Sequence, residues 1–147
     1  MNPEAVNLED SIVQIAPQLE RFFGTSGRML KPCAATVAAL VAQIPSGQVV
    51  TSDLLRRKLA DQFGVEVACP YDTKMALLKI SNDSSLNESG LNVPYWRVIK
   101  TNGELNHQYR GGLEAQMALL QSEGFTVDDS GKKPRIKPFK DKLLAFN

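Results

Sequence analysis

Apolar residues recur at the three- and four-residue spacing of amphipathic helices in five segments of this chain. The predicted helices cover residues 1–23, 32–43, 52–63, 70–81 and 112–123. A glycine follows the first, third and fifth segments, and glycine readily adopts the left-handed conformation that closes a helix. The pattern therefore predicts a mainly α fold.

The first of these segments contains signals that set it apart from the others. Asn2 and Pro3 are typical of a helix start, and Pro17 is expected to kink or split the helix. The Gly24–Gly27 stretch is expected to form a break. Residues 1–29 are accordingly predicted to be an N-terminal helical extension.

Short extended segments are predicted between and after the helices. Gln48–Val50 and Phe125–Val127 are predicted to be short extended pieces, and Tyr95–Ile99 is aromatic and β-branched, as strands commonly are. Asn102-Gly103 is a strong hairpin signal, whereas the polar residues 81–92 are typical of a loop. A small β-wing beside the helices is therefore expected.

Two of the predicted helices, residues 52–63 and 70–81, are joined by a tight connection. This arrangement favours a helix-turn-helix, in which the second helix would enter a DNA groove. The alternative is an ordinary pair of helices in a small helical domain, which gives the same pattern.

Composition restricts the class of protein. The chain has 147 residues, 43% hydrophobic and 22% charged, as expected for a single globular domain. It has no apolar run of membrane-spanning length and no signal-peptide pattern, so we expect no membrane association and a cytoplasmic location, with the nucleoid as its site in a bacterium. Two cysteines and a single histidine make a metal site improbable, and no cofactor is expected.

The net charge of +1 conceals an uneven distribution. Residues 131–147 contain six basic residues and one acidic residue, whereas residues 1–30 and 31–130 each have a net charge of −2. Residues 129–147 are therefore predicted to form a basic C-terminal tail that attracts nucleic acid, the alternative being a solvated tail that aids solubility.

Four motifs in order resemble one family. They are IPSGQVVT at 44–51, PYWRVI at 94–99, NGEL at 102–105 and the GGLEAQ…LLQSEG pattern at 111–124. Together they resemble the DNA-binding domain of the O6-alkylguanine-DNA alkyltransferases, and especially their alkyltransferase-like relatives. The resemblance covers about residues 30–127. It implies a winged helix-turn-helix-like domain over residues 30–128.

The resemblance also implies chemistry that this chain has lost. Active members carry Pro-Cys-His-Arg-Val, with a cysteine that accepts the alkyl group and a histidine oriented by a glutamate. Tyr95 and Trp96 stand at the cysteine and histidine positions here, while Glu123 matches the glutamate. A phenol with a pKa near 10 is a poor substitute for a thiolate, so the chain is predicted not to be an enzyme.

The resemblance assigns two groups of residues. Those expected to line a lesion pocket are Pro94, Tyr95, Trp96, Arg97, Val98 and Glu123. Those expected to contact DNA are Thr51, Ser52, Thr73, Lys74, Asn82, Arg110, Lys132, Lys133 and Arg135. Ser52 replaces a family tyrosine, and Thr73 occupies the position of an arginine that fills the vacated base stack.

The expected function is recognition of alkylated or distorted double-stranded DNA, including O6-alkylguanine, by a monomer that flips the nucleotide and flags it for a repair protein. The alternative is a retired alkyltransferase domain that binds a protein or RNA. A residual acceptor role for Cys69, just before the helix at residues 70–81, is a third hypothesis.

Overall fold

The computed structural model describes residues 10–83, 93–137 and 143. In these ranges the strands are β1 (Ser11–Gln14), β2 (Arg28–Lys31), β3 (Val50–Thr51), β4 (Val67–Ala68), β5 (Val98–Ile99), β6 (Val127–Asp128) and β7 (Arg135–Ile136). The helices are α1 (Pro17–Phe23), α2 (Ala34–Val41), α3 (Ser52–Phe63), α4 (Pro70–Asn82) and α5 (Gly112–Ser122). The described residues thus form five helices with small sheets, and none of these helices is long and apolar enough to cross a membrane.

The helical prediction for residues 11–15 is wrong. Residues 11–14 form β1, which pairs antiparallel with β2, and β2 in turn pairs parallel with β4. The β-branched Ile12 and Val13 suit a strand, while Pro17 begins α1 because a proline in the first turn removes only an N–H that the helix does not use. Residues 1–9, with the predicted start at Asn2, lie outside the described residues.

Helices α2, α3 and α4 enclose the larger of two hydrophobic clusters, and α2 packs closely on α4. The observed bounds of α3, α4 and α5 agree with those predicted to within one residue. Gly64 and Gly24 end α3 and α1 with positive φ angles, as their positions after the apolar stripes indicated. Local sequence therefore specifies these helices well.

The parallel pair β3–β5 lies between the two clusters. Val50 and Val98 pack into the first cluster, whereas their neighbours Val49 and Ile99 pack into the second. This division follows from the two-residue period of a strand, which sends successive side chains to opposite faces. Leu105, Leu120, Phe125 and Ile136 complete the second cluster's buried residues.

The strand prediction for Tyr95–Ile99 is correct only at its end. Residues Tyr95–Arg97 form a 3₁₀ turn, with the Arg97 N–H donating to the Pro94 carbonyl, and β5 follows. The predicted turn at Asn102-Gly103 is confirmed: Gly103 has a φ of +89°, and Lys100 donates to the Glu104 carbonyl. Most of the loop predicted at residues 81–92 lies outside the described residues.

The segment beyond residue 129 is not a free tail over its described part. β6 and β7 form an antiparallel hairpin, and Ile136 is buried in the second cluster. The Ile136 N–H donates to the Gly103 carbonyl, and Arg135 pairs with Glu104 at 3.6 Å. Residues 138–142 and 144–147, including two of the six basic residues, lie outside the described residues.

Asp10 joins the N-terminal segment to α2. Its carboxylate accepts hydrogen bonds from the Cys33 N–H and the Thr36 hydroxyl, both at 2.8 Å. These groups lie at the start of α2, where backbone N–H groups have no helical acceptor and a negative charge is favoured. Asp10 therefore caps the N-terminus of α2, because the Cys33 side chain forms no capping hydrogen bond.

Replacing Asp10 with alanine is expected to lower the free energy of unfolding by about 1 kcal/mol, the usual cost of losing a helix cap. Asp10→Asn should lose less because its amide oxygen can still accept a hydrogen bond. Urea denaturation of both variants measures the difference, with Ser11→Ala as the control. An Asp10→Ala variant as stable as the original chain would contradict the capping role.

Candidate functional site

Arg97 and Glu123 form a largely buried ion pair at the position where the resemblance places acceptor chemistry. Their side chains are 14% and 11% exposed, with Nη2 of Arg97 2.5 Å from Oε2 of Glu123. Arg97 Nε donates to Oε1 at 2.9 Å, which makes the contact two-pronged. Nη1 of Arg97 donates to the Ile44 carbonyl at 2.6 Å, so the guanidinium joins the end of α5 to the turn after α2.

Trp96 occupies the position that the resemblance gives to histidine, and it shares the same carboxylate. Its indole N–H donates to Oε2 of Glu123 at 3.1 Å, and the Arg97 guanidinium lies 5.5 Å from its ring centroid. An indole N–H donates only, so Trp96 cannot take a proton from a nucleophile as imidazole does. Glu123 therefore stabilises a fixed structural network and orients no base.

Tyr95, at the nucleophile position, belongs to an aromatic group. Its ring packs edge-on against Trp96 at 5.2 Å and against Tyr109 at 5.3 Å. Burial raises the pKa of Tyr109 well above its usual range, and its hydroxyl donates to the Val98 carbonyl at 3.1 Å. Tyr109 is therefore neutral at working pH and holds β5 in place.

Gln116 is a buried positioning residue that the sequence motifs contained but did not identify. Its amide nitrogen donates to the Trp96 carbonyl at 3.0 Å, and its amide oxygen accepts from the Asn106 N–H at 2.7 Å. Helix α5 thus fixes both the 3₁₀ turn and the loop before the helix.

A cavity of about 280 Å³ is lined by residues of α3, α4, β5 and the loop before α5. Its described lining residues are Ser52, Arg56, Pro70, Thr73, Lys74, Leu77, Val98, Ile99, Lys100, Asn106, Gln108 and Tyr109. Three of them are cations and none carries a carboxylate. Its volume lies near the lower end of ligand pockets, roughly 300–1,000 Å³, which suits a single planar group.

The predicted pocket residues are brought together, but most do not line this cavity. Of the six, only Val98 contributes to the cavity wall. Pro94 is buried, while Trp96 and Arg97 both donate hydrogen bonds to the Glu123 carboxylate. Sequence reasoning missed Arg56 and Lys100, because their convergence depends on packing that no local pattern encodes.

The predicted DNA contacts in α3 and α4 divide into exposed and buried side chains. Ser52 and Lys74 line the cavity, and Lys74 is exposed. Thr73 is 1% exposed and its hydroxyl donates to the Cys69 carbonyl, so it presents no free surface to a groove. Thr51 is also buried.

The Thr51 hydroxyl hydrogen-bonds to the Asp53 carboxylate and does not face an open surface. Partial burial alone would raise the pKa of Asp53, but hydrogen bonds from Thr51 and Thr101 outweigh it and hold the pKa below its usual value. The Thr101 hydroxyl donates to Oδ1 of Asp53 at 3.1 Å. This carboxylate therefore stays charged in the first turn of α3, where it is favoured.

The remaining predicted DNA contacts lie at the ends of helices and in the β6–β7 hairpin. The Asn82 side chain donates to the Leu78 carbonyl at 2.9 Å. The Arg110 side chain is exposed, but its backbone N–H already donates to the Ser81 hydroxyl at 2.6 Å. Gly111 has a φ of +83°, and a Cβ there would lie 2.5 Å from Ala115, so the turn itself requires glycine.

The cations of the hairpin segment differ in their pairing. Lys137 pairs with Asp128 at 3.0 Å, and Arg135 is held by Glu104. Within the described part of the chain, Lys132 and Lys133 are exposed and form no ion pair. They are therefore the hairpin cations most available to a polyanion.

Neither cysteine has the surroundings of a reactive thiol. Partial burial raises the pKa of the Cys69 thiol above its usual value, which lowers the fraction of thiolate. Cys33 Sγ lies 3.5 Å from the Thr36 hydroxyl near the Asp10 cap. The described residues also contain no group of three or more histidine, cysteine, aspartate or glutamate side chains suited to a metal ion.

Breaking the Arg97–Glu123 pair is expected to cost more than removing both partners. Glu123→Leu should lower the free energy of unfolding by about 3 kcal/mol because it leaves a buried guanidinium unpaired. The double variant Arg97→Met/Glu123→Leu should recover part of that loss. Chemical denaturation of the original chain, Glu123→Leu, Arg97→Met and the double variant measures the coupling free energy.

The surface pair Lys137–Asp128 provides the control for this cycle. Lys137→Met should change the free energy of unfolding by less than about 1 kcal/mol, since exposed ion pairs contribute little. A Glu123→Leu effect of the same small size would contradict a structural role for the buried pair.

Comparison with known proteins agrees with this fold. The model of the family described as "6-O-methylguanine DNA methyltransferase, DNA binding domain" matches residues 32–125. No curated protein matches the chain in sequence.

Two solved structures from S. pombe share its architecture. Atl1 in complex with damaged DNA containing O6-carboxymethylguanine has a TM-score of 0.60 at 18% identity, covering 77% of this chain and 94% of that chain. ATL in complex with DNA has a TM-score of 0.58 at 19% identity, with the same coverage. At these identities the likeness is one of fold. Because the family match spans more than half of the 147 residues, the chain belongs to the 6-O-methylguanine DNA methyltransferase DNA-binding domain family.

Proposed function

We propose that this chain is a non-catalytic, alkyltransferase-like protein that binds alkylated or distorted DNA, flips the affected nucleotide and marks it for a repair pathway. The observation that carries the proposal is the cavity of about 280 Å³ lined by Arg56, Lys74 and Lys100. The chain belongs to a DNA-binding domain family. The two structures similar to it were crystallised with DNA, in one case damaged DNA.

The cavity offers an extruded base two kinds of contact. Leu77, Val98 and Ile99 supply apolar surface, while Asn106 and Gln108 supply polar groups near the loop before α5. A nucleotide must leave the base stack before its modified edge becomes accessible, and a damaged pair opens at lower cost. The three cations would hold the adjoining phosphates.

The network around Glu123 supports the proposal that the chain transfers no alkyl group. The Trp96 indole and the Arg97 guanidinium both donate to this carboxylate, and Tyr95 packs edge-on among aromatic rings. A phenol without an adjacent base is a weak nucleophile. The site would therefore bind the alkylated nucleotide without reacting with it.

The helices and the hairpin are proposed to act as a winged helix-turn-helix. Helix α3 and helix α4 are joined by residues 64–69, and α4 presents Lys74 beside the cavity. The β6–β7 hairpin, with exposed Lys132 and Lys133, would serve as the wing on neighbouring phosphates. Residues 10–29, the described part of the predicted extension, would then be held against α2 through the hydrogen bonds of Asp10.

Lesion recognition is expected to appear as a difference in affinity. The chain should bind a duplex containing O6-methylguanine about tenfold more tightly than the matched undamaged duplex, because less energy is needed to extrude the damaged base. Fluorescence anisotropy at several salt concentrations measures this, and log K should fall by about 0.9 per phosphate contact for each tenfold rise in salt.

The same samples test the absence of transfer. Intact mass spectrometry should show the protein unchanged after prolonged incubation with the alkylated duplex. A gain of the alkyl mass would contradict the non-catalytic assignment, and equal affinity for both duplexes would contradict lesion recognition. Recovery of a stoichiometric protein or RNA partner, with no DNA affinity at low salt, would favour the interaction module instead.

Cations in the hairpin and at the cavity should affect binding differently. Lys132→Ala/Lys133→Ala is expected to weaken binding to damaged and undamaged duplexes alike and to reduce the salt slope by about 1–2. Lys74→Ala should reduce the lesion preference as well, since Lys74 lines the cavity. Point variants are preferable to truncation at residue 131, which would remove the buried Ile136. If Lys74→Ala and the Lys132→Ala/Lys133→Ala variant weakened binding to both duplexes equally, the hairpin and the cavity would not have separate roles.

A further inference from the structure

Helix α4 presents an apolar face to solvent beside the cavity. Tyr71 is 66% exposed and Met75 is 44% exposed. Among the described residues of the family-matched range 32–125, these two are the exposed large hydrophobic side chains. The opposite side of α4 packs into the core, where Thr73, Ala76, Leu77, Ile80 and Ser81 are buried.

The position of this face relative to the cavity follows from helix geometry. Pro70, Thr73, Lys74 and Leu77 line the cavity, so its wall runs along one side of α4. At 3.6 residues per turn, Tyr71 lies about 60° around the helix from Lys74, and Met75 lies one turn beyond Tyr71. The two exposed apolar side chains therefore form a ridge next to the cavity mouth, with Lys74 between ridge and cavity.

The charges around the ridge indicate an anionic occupant. Lys74 and Lys79 are exposed on the same helix, and Arg56 and Lys100 line the adjacent cavity. The acidic residue of this turn, Asp72, lies 4.0 Å from Lys31 and is offset by it. An exposed apolar ridge within a positive surface matches duplex DNA, in which charged phosphates flank stacked bases.

A nucleotide that leaves the duplex creates a gap that apolar or aromatic side chains can fill. Proteins that kink DNA insert apolar wedges between base steps, and aromatic rings stack on bases without regard to sequence. Thr73 cannot do this because it is buried, and Lys74 has no flat surface to stack. Tyr71 has both the exposure and the ring.

We propose that Tyr71, supported by Met75, is the wedge that enters the base stack when a damaged nucleotide occupies the cavity. This inference rests on the proposed function. It assigns the ridge a role in holding the extruded state, since the inserted ring takes the stacking contacts of the missing base. Tyr71 thereby becomes a determinant of lesion preference that is separate from phosphate contacts.

Substitution of Tyr71 tests this assignment with little risk to the fold, because the side chain is exposed and alanine is a better helix former. Tyr71→Ala should lower affinity for the O6-methylguanine duplex about tenfold, in keeping with base–aromatic stacking, and leave affinity for undamaged DNA nearly unchanged. Tyr71→Phe keeps the ring and should bind like the original chain. Leu19→Ala, which shortens an exposed apolar side chain on α1, is the matched control and should have no effect.

A duplex carrying a pyrene nucleotide opposite the lesion separates wedge action from a general loss of binding. Pyrene fills the gap from the opposite strand, so it should restore the affinity of Tyr71→Ala. The inference is overturned if Tyr71→Ala keeps the full lesion preference, or if pyrene fails to rescue it. If the original chain itself shows no lesion preference, the proposed function fails and the wedge with it.

Discussion

The contact between Arg97 and Glu123 fixes the backbone that leads into β5 and the cavity beside it. One guanidinium binds the carboxylate at the end of α5 and the Ile44 carbonyl after α2, and so fixes the 3₁₀ turn between them. A largely buried pair of this kind tolerates little displacement, because either charge alone would be costly. Val98 follows directly, and its position determines one wall of the cavity.

The same network satisfies the Glu123 carboxylate without a histidine. The Glu123 carboxylate gains the Trp96 indole and the Arg97 guanidinium as donors, so no imidazole is needed to satisfy it. Tyr95 fills the acceptor position with a ring that packs against Trp96 and Tyr109. Tyr109 also lines the basic cavity, so the aromatic group and the cavity are adjacent.

The sequence predicted the parts of the structure that depend on neighbouring residues. The stripes and glycines of α3 and α5 specify those helices, and Gly103 specifies its turn. The family motifs likewise identified the residues around Arg97.

Long-range packing decided what local patterns could not. Residues 11–14 became a strand because β2 offers them a pairing partner, and the buried Ile136 joined the second cluster rather than a tail. Arg56 and Lys100 meet at the cavity from separate elements, so no motif brings them together. Thr73 stands where the family has the arginine that fills the vacated base stack. Its position on α4 buries it in the core, whereas Tyr71 is exposed to solvent.

In the function we propose, an extruded alkylated base occupies the cavity while the Arg97–Glu123 pair stays closed and no alkyl group moves. A crystal structure of the chain with an O6-methylguanine duplex tests this arrangement. We expect the methylated base between α3, α4 and residues 106–109, still carrying its methyl group, with the ion pair unbroken. A base stacked within the duplex, DNA bound to another face, or a methylated side chain would contradict it.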